Sequence, residues 1–238
     1  MVRIFQRRSE IIRNGEQLLA LVATSDARGI VAWLSTFVRK KRPLDFFLWR
    51  HGSAYDKWVG RALINAASAG QRCCVDLLLP VSPKEYLSDA VVQAACQGHT
   101  QIVESILPCC PSSIPLNSAL KSAALHGHGE CVRLLIPVSD PKHDRSEALW
   151  RALNNGHADI VYALIPHSDP KTLNQVLREA AANGNADLLH AIIPISDAKE
   201  QESAALRWAA QYGHTECVRL LIPVSDPKAN DSDALRWA

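Results

Sequence analysis

From residue 60 onward, apolar and polar positions recur in one rhythm. A glycine stands at 70, 98, 127, 156, 184 and 213, at intervals of 28 or 29 residues, and a proline follows each by ten, at 80, 108, 137, 166, 194 and 223. Two columns keeping the same uneven spacing through six units mark a tandem repeat, whose clearest copy runs from Ser203 to Lys228. Seven positions before the glycine stands Leu63, Val91, Leu120, Leu149, Leu177 or Leu206. Four and three before it stand Ala66–Ala67, Ala94–Ala95, Ala123–Ala124, Ala152–Leu153, Ala180–Ala181 and Ala209–Ala210. That spacing is helical, and the small pair lets neighbouring helices approach closely. Ten before the glycine, Ser88, Asn117, Ser146, Asn174, Ser203 and Ser232 carry side-chain oxygens, which predicts a helix start capped there. The glycine is suited to end that helix in a left-handed conformation.

A second helix is predicted after the turn. Four units place an acid near its start (Glu130, Asp159, Asp187, Glu216), where the positive end of the helix dipole favours it. Positions four, five, eight and nine after the glycine are apolar, as in Cys74, Val75, Leu78, Leu79 and in Cys217, Val218, Leu221, Ile222, and should form its buried face. The proline at ten then stops the helix, because it lacks the N–H of the next hydrogen bond. A Ser-Asp-Pro-Lys type of turn leads to the next unit.

The string running from Ala123-Ala124-Leu125-His126-Gly127-His128 to Leu134-Leu135 is similar to the heart of the ankyrin repeat, and its counterparts cover residues 60 to 238. Tetratricopeptide, HEAT and armadillo units have longer periods. The resemblance implies an all-α fold, a curved solenoid of stacked helix-turn-helix repeats. The ankyrin period is about 33 residues, and this chain falls four short of it. Forms such as Glu147-Ala148-Leu149-Trp150 replace the family's TPLH, and Ser-Asp-Pro-Lys replaces its hairpin segment. Short loops are therefore expected where ankyrin arrays carry β-hairpin fingers.

Ahead of the repeats, Leu19, Val22, Ala23, Val31 and Leu34 fit the same columns if Asp26 stands in for the glycine, which predicts a diverged cap unit. The expected organisation is residues 1–57 as that cap plus a basic and aromatic insertion (Arg39 to Pro43, then Phe46, Phe47, Leu48, Trp49). Residues 58–238 are expected to hold six ankyrin-like repeats and, from Ala234-Leu235-Arg236-Trp237-Ala238, the start of a seventh. Such units cannot bury a core alone, so stacking on neighbours is obligatory.

Composition narrows the function classes. Residues 1–57 hold 11 Lys and Arg against 5 Asp and Glu, so the small net charge of +2 hides a basic N-terminal segment. The run Arg39-Lys40-Lys41-Arg42 reads as a solvated loop, a nuclear-import type of signal, or a patch for acidic surfaces. A Lys column (Lys84, Lys142, Lys171, Lys199, Lys228) is offset by Asp140, Asp169, Asp197 and Asp226, which disfavours nucleic acid as a partner. Neither a secretory leader nor a membrane span is expected, and a cytoplasmic location follows, with the nucleus or a host cytoplasm left open. Seven cysteines without paired CxxC motifs point to reduced thiols, and no metal, catalytic group or small-molecule cofactor is expected.

The histidine column His99, His128, His157 and His214 could suggest metal or acid–base chemistry. These residues occupy one repeat position, about 10 Å apart at helix-packing distance, too far to share an ion. Structural bonding in the turn is the expected role. Cys74, Cys131 and Cys217 fall in an apolar column and are expected in the core, whereas Cys109 and Cys110 precede Pro111 in a turn.

Positions five, two and one before the glycine vary without a packing reason. In ankyrin arrays the corresponding positions of helix one line a concave face, and the resemblance makes Arg151, Asn155, Glu179, Asn183, Trp208, Gln211, Tyr212 and His126 candidate partner-binding residues. Trp208, Tyr212 and Arg151 are the expected anchors, since aromatics and Arg dominate binding hot spots. The expected function is a monomeric, non-enzymatic scaffold binding a partner protein, with near-identical tandem copies leaving open an adaptor or a bacterial effector. The alternative is the substrate-recruiting arm of an enzyme whose catalytic domain lies outside this chain.

Overall fold

The structure, a computed structural model, describes residues 13, 15–39, 53–110, 113–198 and 200–226, which form two compact units, Met1–Asp140 and Pro141–Ala238. Lys40 to Pro43, Phe46 to Trp49, Pro111, Lys199, Lys228, Ser232 and Ala234 to Ala238 lie outside the described residues. Among the described residues every regular element is helical, as expected for an all-α repeat fold.

In the first unit, α1 covers residues 15–23 and α2 Ala27–Arg39. Three helix pairs follow: α3 (Ser53–Ser68) with α4 (Arg72–Leu78), α5 (Leu87–Cys96) with α6 (Thr100–Ile106), and α7 (Ser113–His126) with α8 (Gly129–Leu135). The second unit holds α9 (His143–Asn154) with α10 (Ala158–Leu164), α11 (Pro170–Ala182) with α12 (Ala186–Ile192), and α13 (Glu200–Gln211) with α14 (Thr215–Leu221). Within each unit, first helices pack on first helices (α3 on α5 on α7; α11 on α13) and second on second (α4 on α6 on α8; α12 on α14).

The column of Leu63, Val91, Leu120, Leu149, Leu177 and Leu206 is buried throughout, and so are the alanine pairs, except that Leu153 is half-buried. All six repeat glycines have φ between 72 and 80°, the left-handed turn that their spacing predicts. Helix two is seven residues long in every full repeat. In five units a 3-10 turn follows, with proline as its second residue (Leu79–Val81, Leu107–Cys109, Ile136–Val138, Ile165–His167, Ile193–Ile195). There the missing N–H costs nothing, since that position would lack an intrahelical partner anyway. Ser82, Ser139 and Ser168 then donate their hydroxyls to the carbonyls of Leu78, Leu135 and Leu164, at 2.8, 2.6 and 2.8 Å. These bonds satisfy the end of helix two within a short loop, where longer repeats carry a finger.

Three sequence expectations are corrected. The Ser and Asn column ten before the glycine does not cap helix one, which starts earlier. Asn117, Ser146, Asn174 and Ser203 lie inside the helical elements and accept hydrogen bonds from the backbone N–H of Asp140, Asp169, Asp197 and Asp226, at 2.7, 2.7, 2.8 and 2.8 Å. Each is a staple joining the first helix of a repeat to the turn that ends it, 23 residues later. In α9, Ser146 reaches this position through a left-handed turn, Asp144 to Ser146 having φ of 52, 56 and 57°.

The cap unit is also shifted by one residue. Ser25, with φ 55°, takes the glycine's place. The bonds of Ser25 N–H to Val22 O and Asp26 N–H to Leu21 O match those of Gly70 to Ala67 and Gln71 to Ala66. The buried set is accordingly Leu18, Val22, Ile30 and Trp33, whereas Ala23 is exposed and Val31 is 48 % exposed. Asp26 instead accepts from Gly29 N–H at 2.9 Å and caps α2. Finally, position nine after the glycine is not uniformly buried: Ile165 is, Leu79 is half-buried, and Ile222 is 48 % exposed.

Candidate functional site

Helix one ends with carbonyls that no intrahelical N–H can reach. The histidine column deals with one of them in the preceding repeat. Nε2 of His99 donates to Ser68 O at 3.1 Å, that of His128 to Cys96 O at 2.9 Å, and that of His214 to Ala182 O at 2.9 Å. The imidazole lies directly over the earlier repeat's glycine. A Cβ on Gly70, Gly98 or Gly184 would stand 2.5 to 2.6 Å from the ring of His99, His128 or His214. Glycine is thus needed there for its φ and for close approach. In the fifth repeat Asn185 replaces histidine and accepts from Leu188 N–H at 3.0 Å, and a Cβ on Gly156 would meet nothing. The role is structural, as the sequence suggested, but the bond of His99, His128 and His214 reaches the preceding repeat and not the histidine's own turn.

The faces left over are those of the variable columns. In the second unit α11 packs directly against α13, so the variable columns ending in Glu179 and Asn183 and in Trp208, Gln211 and Tyr212 lie on neighbouring helices. Trp208 and Tyr212, one helical turn apart, stack with ring centroids 5.7 Å apart and planes at 14°, while 40 and 53 % exposed respectively. Tyr212 also lies 6.4 Å from the ring of His214, whose bond to Ala182 O fixes it. The aromatic pair is therefore held in place yet open to solvent.

Arg151 and Asn155 occupy the same columns on α9 but are partly used internally. The Arg151 guanidinium pairs with Glu147 one turn earlier, its Nε donating at 2.9 Å. Asn155 donates its side-chain amide to Arg151 O at 2.7 Å and finishes its own helix. Arg151 is thus one half of an i,i+4 ion pair with Glu147. Glu179 is half-buried, and its carboxylate has no hydrogen-bond or ion-pair partner among the described residues.

His126 belongs to the first unit. It is exposed, donates from Nδ1 to Ser122 O at 2.9 Å, stacks on His128 at 6.2 Å between ring centroids, and has the same Nδ1 3.6 Å from the Cys96 sulfur. The described residues hold no group of three or more His, Cys, Asp or Glu placed to bind a metal ion. Cys74, Cys131 and Cys217 are buried, and burial pushes each thiol's pKa up, away from the reactive thiolate. Among the described residues no helix is long and apolar enough to cross a membrane.

No curated protein matches the chain. A family model described as ankyrin repeats (3 copies) matches residues 91–175 and 177–238, more than half of the sequence and five of the six glycine turns. On that match and this architecture, the chain belongs to the ankyrin-repeat family.

Proposed function

We propose that the helix-one face of the second unit, centred on Trp208 and Tyr212, is the docking surface for a partner protein. Ankyrin repeats are protein–protein interaction modules, and proteins built from them are typically non-catalytic scaffolds. The observation that carries the location is the exposed, mutually stacked aromatic pair. Neither ring stands in a buried column, and aromatic side chains with few rotatable bonds are the commonest binding hot spots. Asn183 and Gln211 beside them supply amides for polar contacts at the edge.

The test is quantitative capture from cell extract by the wild-type chain and by a Trp208→Ala/Tyr212→Ala variant with an unchanged circular dichroism spectrum. The proposal expects at least one protein retained by the wild type and depleted on the variant. Identical captured sets would refute the location.

A further inference from the structure

We infer that Glu179 and the Trp208–Tyr212 pair form a subsite for an arginine side chain of the partner. This rests on the docking reading above and adds the chemistry of the group that enters. Charge is the first argument. On this face the Arg151 guanidinium is paired with Glu147, and Arg178 and Arg207 each have an interaction of their own, whereas the Glu179 carboxylate has no hydrogen-bond or ion-pair partner among the described residues. An apolar partner segment covering Glu179 would strand a desolvated carboxylate, and an acidic one would be repelled. A cation removes both penalties.

Geometry selects arginine among cations. Glu179 and Trp208 stand at the same repeat position, five before Gly184 and Gly213, on helices packed directly together. Neighbouring helix axes lie about 8–10 Å apart, a gap that a planar guanidinium can bridge. Its edge can donate two parallel hydrogen bonds to the carboxylate while its face lies on the indole. Lysine, a compact point charge, cannot satisfy both surfaces in this way. Tyr212 stacked behind Trp208 holds the indole, so little side-chain freedom remains to be lost on binding.

The experiment selects phage-displayed random dodecapeptides on the whole chain and measures the winners against Glu179→Gln, Trp208→Ala and the wild type. Both altered side chains reach solvent, so the fold should hold, and circular dichroism checks it. The inference expects arginine enriched at one peptide position and loss of binding when that arginine becomes citrulline. It also expects about tenfold weaker binding to Glu179→Gln, the size of a charge-assisted hydrogen bond. Selected peptides without a required arginine, affinity unchanged in Glu179→Gln, or no selected peptide would overturn it. Peptides that need Trp208 but no arginine would leave the docking face standing, whereas peptides indifferent to Trp208→Ala would remove that reading too.

Discussion

Nε2 of His128 hydrogen-bonds to the carbonyl oxygen of Cys96, 32 residues earlier, at 2.9 Å. This closes a helix-one terminus with a side chain from the next repeat, so local capping and inter-repeat cohesion are the same bond. His128→Ala leaves that part-buried carbonyl unpaired and should cost about 1–3 kcal/mol. Chemical denaturation of both proteins checks it. Equal midpoints would show that the bond contributes nothing net.

The same contact makes the preceding glycine doubly constrained. Gly98→Ala puts a methyl 2.5 Å from the His128 ring and forces alanine to a φ of 74°, whereas Gly213→Ala, at the same φ, meets nothing within 4 Å. The Gly213 substitution should cost about 1–2 kcal/mol from backbone conformation alone, and the Gly98 substitution clearly more. A double-mutant cycle of Gly98→Ala with His128→Ala should recover the steric part. Equal costs at the two glycines would exclude the close-approach argument.

Asn117 accepts from the Asp140 N–H at 2.7 Å. Asn117→Ala should therefore expose that amide to exchange and lower stability by about 1 kcal/mol, the net worth of a hydrogen bond. Hydrogen exchange read by NMR separates this from a capping role. A cap would show its loss at the first amides of α7, a staple at Asp140.

Cysteine accessibility gives an independent check on packing. Cys73 and Cys109 are exposed, whereas Cys74, Cys131 and Cys217 are buried with raised pKa values. Cys73 and Cys109 should react with a thiol reagent in the native state, and the three buried thiols only on unfolding. Mass spectrometry of the labelled peptides reads the order directly. Fast labelling of Cys131 would mean that the repeat interface opens.

Much of this was legible in the sequence because the repeat lets each column be read six times. The glycine and alanine columns require small size or positive φ, demands that few residues meet, and so they specify turn and helix contact. The Ser and Asn column was misread as a cap for a physical reason: an oxygen that can accept from a nearby N–H can equally accept from one 23 residues away. In the cap unit the match of Leu19, Val22, Ala23, Val31 and Leu34 to the columns put Asp26 in the glycine's place, but Ser25 takes the positive φ and Asp26 caps α2. The variable columns hold the exposed Trp208 and Tyr212 but also the half-buried Arg151 and Glu179. They did not reveal that Arg151 is paired with Glu147, since that acid sits outside the columns considered.

The central claim is that a partner docks on the face carrying Trp208. Its most direct test is the affinity of a captured partner for the wild type and for Trp208→Ala, measured by calorimetry alongside each protein's thermal unfolding. The account predicts binding weaker by tenfold or more, on the order of a hot-spot aromatic, with an unchanged melting temperature. Affinity within twofold of the wild type would contradict it.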